Sequence, residues 1–272
     1  MNISVLGCGW LGFPLAQRFL KSGHRIKGST TSENKLSLLN QNGIDGHLIE
    51  FPNSLNHNAL DQLLNCDVLF LNIPPSGIKS EKDNKYQEVI HAVTKKAADQ
   101  NVSWIIFVSS TSVYNEMAGF VTEKDADIHS ASKHNGKLLL ESEKIVQNSG
   151  NDFTILRMGG LYGYGRHPIH YLSGKKNLDG ASKPVNLIHQ VDCLNIISDI
   201  VGLEKRNTVY NLVSDGHPPR KEFYESAAKY YKLDPPKFKR DSGSNYKVVS
   251  NEKVKMDLNY TFSYPNPMDH TP

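Results

Sequence analysis

The sequence predicts an α/β fold in which a parallel sheet is wound with helices on both faces. Three observations predict it. Apolar runs of strand type alternate with segments of helical spacing from Asn2 to Val108. The first run enters a turn with glycines at positions 7, 9 and 12 and passes directly into an apolar, helix-prone stretch. No internal repeat, low-complexity segment or long linker interrupts the chain. Strands and helices in this rhythm are βαβ units, whose right-handed crossovers give a doubly wound sheet covered on both faces.

Asn2-Ile3-Ser4-Val5-Leu6 is the first strand. Leu11, Leu15, Phe19 and Leu20 recur at helical spacing, so the segment from Phe13 to Lys21 packs one face on the sheet. Pro14 falls in or near its first turn, where the missing N–H costs least. Ser22-Gly23-His24 ends the helix, and Arg25 to Thr30 forms the second strand. A short helix over 35–42, a third strand over 46–51 and a helix over 60–64 follow. Asp67 to Asn72 reads as a buried strand stopped by Pro74 and Pro75. A helix over 83–100 leads into a strand over 103–108, with further sheet strands at 153–157 and 209–213. The core is therefore expected over residues 1–160, its sheet completed by the strand near 208–213. Residues 161–272 are richer in Gly, Pro, Lys and aromatics and read as a small lobe built from insertions, not an independent domain.

Composition excludes several classes. Lys and Arg number 31 against 28 Asp and Glu, and an excess of +3 is too small for nucleic acid to be the main partner. There is neither an aromatic RNA-binding motif nor zinc-ligand spacing, so no metal is expected. No apolar run approaches a membrane span, and the chain opens directly on a core strand, leaving no room for a signal peptide. Cys8, Cys66 and Cys193 are scattered and odd in number, which implies no disulfide framework and a cytoplasmic, reducing location. Cys8 reads as a small residue filling a tight turn.

The turn Gly7-Cys8-Gly9-Trp10-Leu11-Gly12 is a G-x-G-x-x-G motif in the strand–turn–helix context that gives it meaning. Gly7 permits the tight turn, Gly9 admits a pyrophosphate to the backbone, and Gly12 lets helix and strand pack closely. The helix N-terminus, with Trp10 and Leu11 between the glycines, offers N–H groups and the positive end of its dipole to phosphates. NAD(P) is the expected cofactor. An NAD site places Asp or Glu about 20 residues past the motif to accept from the ribose 2′-hydroxyl. Here that stretch holds Thr30, Thr31 and Ser32, with no carboxylate before Glu33 and with Lys35 just beyond, which favours NADP over NAD. A Ser/Thr turn capping the next helix would suit either cofactor. Ligands of such folds bind at the carboxyl ends of the strands, so the glycine loop, the Asn72–Pro75 stretch with Pro74 as a cofactor contact, and the Ser109–Tyr114 stretch are expected to ring one site.

Five stretches carry a resemblance in their order along the chain. They are Gly7–Gly12, Val108-Ser109-Ser110-Thr111-Ser112-Val113-Tyr114, Leu156-Arg157-Met158-Gly159-Gly160-Leu161-Tyr162-Gly163, Ile188-His189-Gln190-Val191-Asp192 and Val209-Tyr210-Asn211-Leu212. The chain resembles the extended short-chain dehydrogenase/reductase superfamily over nearly its whole length. It is more closely similar to an atypical bacterial branch of NAD-dependent epimerase/dehydratase-like proteins. The resemblance implies a Rossmann fold and a catalytic set of Ser/Thr, Tyr and Lys. Ser110, or its neighbours Ser109 and Thr111, matches the hydroxyl that binds the substrate oxygen, with Ser109 also a cofactor contact. Matching the apolar run and Glu141 puts Lys137 at the lysine that holds the nicotinamide ribose, and Lys133 where the acid/base tyrosine belongs.

That tyrosine is absent, and three explanations compete. Lys133, His134, Tyr114 or Tyr162 substitutes for it, a lysine serving as base where burial or Lys137 lowers its pKa. Alternatively the site binds nucleotide as a sensor or regulator without catalysis, or the reaction needs no such base. The resemblance places Tyr162 in a Tyr-Gly-x-Gly segment at the junction of cofactor and substrate, with Thr111, Tyr114 and Arg166 as further substrate contacts. Arg166 reads equally as an anion clamp or a surface arginine. Lys237, Lys239 and Arg240 bring three cations together near the C-terminus, by default a solvated loop. His189 and Asp192 look like structural residues, Asn251 like a helix cap, and the tail from Tyr264 to Pro272 like a loosely ordered segment. The expected function is that of an NAD(P)-binding oxidoreductase, epimerase or dehydratase acting on a nucleotide-linked sugar or similar polar substrate. A homodimer is permitted by the apolar Leu138, Leu139 and Leu140, which burial within one chain explains as well.

Overall fold

The computed structural model describes residues 1–78, 85–116, 119–129, 131, 134–240 and 246–269. Strand β1 (Asn2–Leu6) is followed by α1 (Gly12–Lys21), β2 (Arg25–Thr30), α2 (Glu33–Gln41) and β3 (Asp45–Leu48). The alternation continues through α3 (Asn58–Leu64), β4 (Val68–Leu71), α4 (Lys85–Asp99) and β5 (Trp104–Ser110). Next come β6 (Gly119–Val121), α5 (His134–Gln147), β7 (Asp152–Met158), β8 (Gly160–Tyr162) and α6 (Ile169–Leu172). The chain closes with β9 (Leu187–His189), α7 (Gln190–Gly202), β10 (Thr208–Leu212), α8 (Arg220–Tyr230), β11 (Lys247–Val249) and α9 (Glu252–Leu258).

Seven strands form a parallel sheet in the order β3-β2-β1-β4-β5-β7-β10, the doubly wound arrangement expected from the sequence. Ile3 pairs with Ile26 on one side and Val68 on the other, which puts β1 at the centre of the register. Neighbouring residues of a strand point to opposite faces, so the complete burial of both Leu69 and Phe70 means that both faces are covered. That is why β4 reads as an unbroken apolar run and not as an alternation. The order reverses between β1 and β4: the chain first builds outward to β3, then returns to start the other half. Such a switch point opens a crevice at the carboxyl ends of the two strands. The third strand ends at Leu48, short of the expected Phe51: Ile49 N–H still donates to Thr30 O (2.9 Å), and the chain then turns at Phe51 and Pro52.

Contacts divide the chain into two compact units. One comprises Met1–Ser109, Lys133–Leu156 and Val201–Val209. Within it α1 buries Leu15, Ala16 and Phe19, the face its spacing predicts. Helices α4 and α5 pack together, and Leu138, Leu139 and Leu140 are buried within the chain itself. Each such leucine contributes about 2 kcal/mol by leaving water, which accounts for the apolar run without a second copy.

The other unit comprises Ser110–Ser132, Arg157–Ile200 and Tyr210–Pro272. Two short parallel ribbons, β6 with β11 and β8 with β9, are joined to a core that includes Tyr162, Ile169, Phe223 and Ala227. Its C-terminal segment is tied down, contrary to the expected loose tail. Asp192, fully buried, accepts from the Tyr260 hydroxyl (2.6 Å) and from the N–H groups of Ser263 (2.8 Å) and Tyr264 (3.0 Å). Tyr264 also stacks on His189 at 3.7 Å. A carboxylate with three donors replaces the hydration that burial removes, so it anchors the segment that supplies them. Residues 270–272 lie outside the described residues. Asn251 stands at the N-cap position of α9, but its amide donates to Val213 O (3.0 Å) and Asp215 Oδ1 (2.9 Å) and does not cap the helix. No helix among the described residues is long and apolar enough to cross a membrane.

Candidate functional site: a dinucleotide pocket at the sheet reversal

An open pocket of about 160 Å³ lies in the first unit at the ends of β1, β2 and β4. Gly7, Cys8 and Gly9 form its floor, Asn72, Ile73 and Pro74 one wall, and Thr30, Thr31 and Lys35 another. Ile49 and Phe51, just past β3, add an apolar side that fits the faces of a planar base. The glycine loop has the shape a pyrophosphate requires. Gly7 has φ +111°, which a side chain disfavours, and a Cβ there would strike the Asn72 carbonyl. A Cβ on Gly12 would strike the Gly7 carbonyl, so helix and strand meet as closely as the motif demands. A Cβ on Gly9 would meet nothing within 4 Å, so the backbone there is open to a ligand. These residues fit a dinucleotide.

The remaining cofactor residues divide. Leu11 is buried in the core, so any contact it makes to phosphate comes from its backbone. Trp10 is half-buried in the loop. Ser32 occupies the N-cap position of α2 with its N–H donated to Thr30 Oγ1 (3.2 Å). Cys8 is an inert space-filler: its thiol points to Val5 O (3.6 Å), and burial pushes its pKa up to about 12. No carboxylate lines the pocket among the described residues.

The Ser109 hydroxyl, an expected cofactor contact, is engaged with a buried carboxylate. It donates at 2.5 Å to Glu143 Oε1 on α5, and both side chains are buried. Lys137 is exposed on the first turn of α5. Lys133 lies outside the described residues.

In the second unit the hydroxyl stretch forms a tight turn. Ser110 is half-buried, and its Oγ accepts from Ser112 N–H (3.1 Å) to cap the single turn Thr111–Val113. Lys247, to which no sequence pattern pointed, donates from Nζ to the carbonyls of Thr111 (2.9 Å) and Tyr114 (3.3 Å) and fixes the turn from β11. Its position is set in turn by Asn186, which donates to Lys247 O and accepts from Val249 N–H, each at 2.8 Å.

Tyr114, an expected substrate contact and candidate base, is buried within its own unit. Its hydroxyl donates to Asn211 Oδ1 (2.5 Å) and accepts from Arg157 Nη1 (2.9 Å), with the guanidinium also over its ring. Arg157 donates to Glu123 O (2.8 Å), and Glu123 Oε1 accepts from Asn211 N–H (2.8 Å), which closes a buried network. Burial pushes the Tyr114 pKa up to about 12, with Arg157 opposing. Tyr162 is enclosed likewise. It is fully buried in the unit's core against His189 and His167, and burial raises its pKa further from the range of a working base. Arg166 is exposed on a reverse turn closed by paired backbone bonds with Gly163 (2.9 and 2.8 Å). Of the late cations, Lys239 pairs with Asp179 (3.3 Å) at the surface. Among the described residues no group of His, Cys, Asp and Glu is arranged to hold a metal.

Residues 7–187 match the NAD(P)H-binding family. Protein YeeZ of Escherichia coli (strain K12) is 31% identical over 272 residues, covering 98% of this chain and 97% of its own. The fold is similar to that of a short-chain dehydrogenase/reductase superfamily protein from Agrobacterium tumefaciens with bound NAD (TM-score 0.77, 15% identity, 99% and 95% of the two chains). It is similar too to the UDP-glucuronic acid 4-epimerase of Bacillus cereus in complex with UDP-glucuronic acid and NAD (TM-score 0.76, 18% identity, 99% and 97%). The loop geometry, the reversal point and these similarities agree: the chain belongs to the NAD(P)H-binding family and has the fold of the extended short-chain dehydrogenases, epimerases and dehydratases.

Proposed function

We propose that the protein is a cytoplasmic NADP-preferring oxidoreductase, epimerase or dehydratase acting on a hydroxyl or carbonyl of a nucleotide-linked sugar or similar polar substrate. The observation that carries the cofactor preference is the pocket wall. Thr30, Thr31 and Lys35 stand where an NAD site keeps a carboxylate, and a cation with hydroxyls complements a 2′-phosphate that a carboxylate would repel. Bound there, the dinucleotide supplies a hydride acceptor or donor. The chain's own residues do the rest: the glycine loop holds the pyrophosphate, Ser110 donates its hydroxyl proton to the substrate oxygen, and Lys137 binds the nicotinamide ribose. Lys133 is the positional candidate for proton transfer. Arg166 offers a fork of donors to an anionic substrate group.

Support for the substrate class comes from the sugar-nucleotide ligand of the Bacillus cereus epimerase. The test is a titration of NADP⁺ and NAD⁺ followed by turnover of a panel of sugar nucleotides and carbonyls. Tighter NADP⁺ binding with turnover that falls in Lys133→Ala is the expected result; tighter NAD⁺ binding overturns the preference. A second reading, a non-catalytic NAD(P) sensor, is favoured by one observation. Tyr114 and Tyr162, two candidate substitutes for the missing tyrosine, are both buried with raised pKa values. Stoichiometric cofactor binding without turnover of any substrate would select it.

A further inference from the structure

The first glycine of the loop is gripped from both sides by side chains that the motif does not name. Gly7 donates its N–H to Ser29 Oγ at 2.9 Å, and Asn72 Nδ2 donates to Gly7 O at 3.0 Å. The backbones of the same two residues continue the grip: Cys8 N–H donates to Ser29 O (2.8 Å) and Asn72 N–H to Leu6 O (3.0 Å). Ser29 lies near the end of β2 and Asn72 follows β4, so the two grips come from the strands that flank β1 on either side.

We infer that Ser29 and Asn72 are positioning residues that hold the phosphate loop in its ligand-binding shape before the dinucleotide arrives. A free glycine samples many conformations besides φ +111°, and fixing this one at the moment of binding subtracts from affinity. Here both backbone polar groups of Gly7 are committed to side chains of the neighbouring strands. The N–H groups of Gly7 and Cys8 therefore serve the loop's shape, and phosphate falls to the residues after them. The Asn72 carbonyl also stands where a Gly7 Cβ would be, so one residue both orients the loop and enforces its glycine. This role rests on dinucleotide binding and not on the reaction proposed above.

The test compares wild type with Asn72→Ala, Asn72→Asp and Ser29→Ala, each confirmed folded by its thermal transition. The probes are NAD⁺, ADP-ribose and adenosine; the first two carry a pyrophosphate and the third does not. Asn72→Ala is expected to weaken NAD⁺ and ADP-ribose by about tenfold, and Ser29→Ala by about fivefold, the loss of one half-buried hydrogen bond each. Adenosine, which brings no pyrophosphate to the loop, is expected to stay within about twofold. Asn72→Asp keeps the volume but sets an acceptor against Gly7 O, and binds dinucleotide no better than Asn72→Ala. Three results overturn the inference: NAD⁺ affinity held within about twofold in the Ala variants, adenosine affinity falling in step with ADP-ribose, or Asn72→Asp binding like wild type. A wild-type protein that binds ADP-ribose but turns over no substrate leaves the inference standing and removes only the proposed reaction.

Discussion

Around Gly7–Gly12 the motif residues leave space. Gly9 has nothing within 4 Å of a would-be side chain, and the pocket beside it opens to solvent with hydroxyls and one lysine on its rim. Around Tyr114, Arg157 and Asn211 the motif residues fill space: all three are buried and spend their polar groups on each other and on Glu123. Both regions contributed residue patterns to the same family resemblance. The first pattern describes a ligand site, because an open approach to backbone at a helix N-terminus is what a phosphate needs. The second describes a folding requirement, since a buried tyrosine and arginine must satisfy one another. A recurrent tyrosine or arginine is thus no guide to catalysis until its hydrogen bonds are known.

Four substitutions press on this contrast, in decreasing order of effect. Gly9→Asp abolishes dinucleotide binding, by about a hundredfold or more, since it sets bulk and negative charge against the pyrophosphate. The open space there leaves the thermal transition unchanged. Unaltered affinity by calorimetric titration would refute the phosphate cradle. Arg157→Met does the reverse: it costs about 3 kcal/mol of stability by stranding buried acceptors, while NAD⁺ affinity stays within about twofold. Chemical denaturation measures the first and titration the second. A Lys35→Glu exchange lowers NADP⁺ affinity by about tenfold relative to NAD⁺, as a carboxylate meets the 2′-phosphate. An unchanged ratio would show that Lys35 plays no part in the choice.

The smallest effect is a pH dependence. The Tyr114 hydroxyl is raised from 10.0 to about 12 in the folded protein, so the unfolded chain ionises first. Its contribution to stability is whole below pH 10.0 and is lost as pH rises toward 12. Tyr114→Phe lowers stability by about 1 kcal/mol at neutral pH and flattens that alkaline decline. Parallel declines in the two proteins between those limits would place the titrating group elsewhere.

The sequence by itself determined the sheet, its winding and the glycine loop. Apolar runs such as Val68–Leu71, helical spacing such as Leu11, Leu15 and Phe19, and glycines at 7, 9 and 12 are local consequences of backbone geometry and burial, and they are readable without knowing what lies across the sheet. It also set Thr30, Thr31 and Lys35 on the pocket wall, since strand β2 must end beside β1. Only the tertiary structure decided which polar side chains face the ligand and which face each other. Ser109 turns to Glu143, 34 residues on; Tyr114 turns to Asn211, 97 residues on; and Asn72 reaches back 65 residues to Gly7. Phe51, Ile49 and Lys247 joined their sites without any motif, because apolar walls and a lysine on a carbonyl turn have no fixed spacing to the residues they serve. A hydrogen bond is satisfied by whatever the fold brings within about 3 Å, and that partner is a property of packing, not of sequence order.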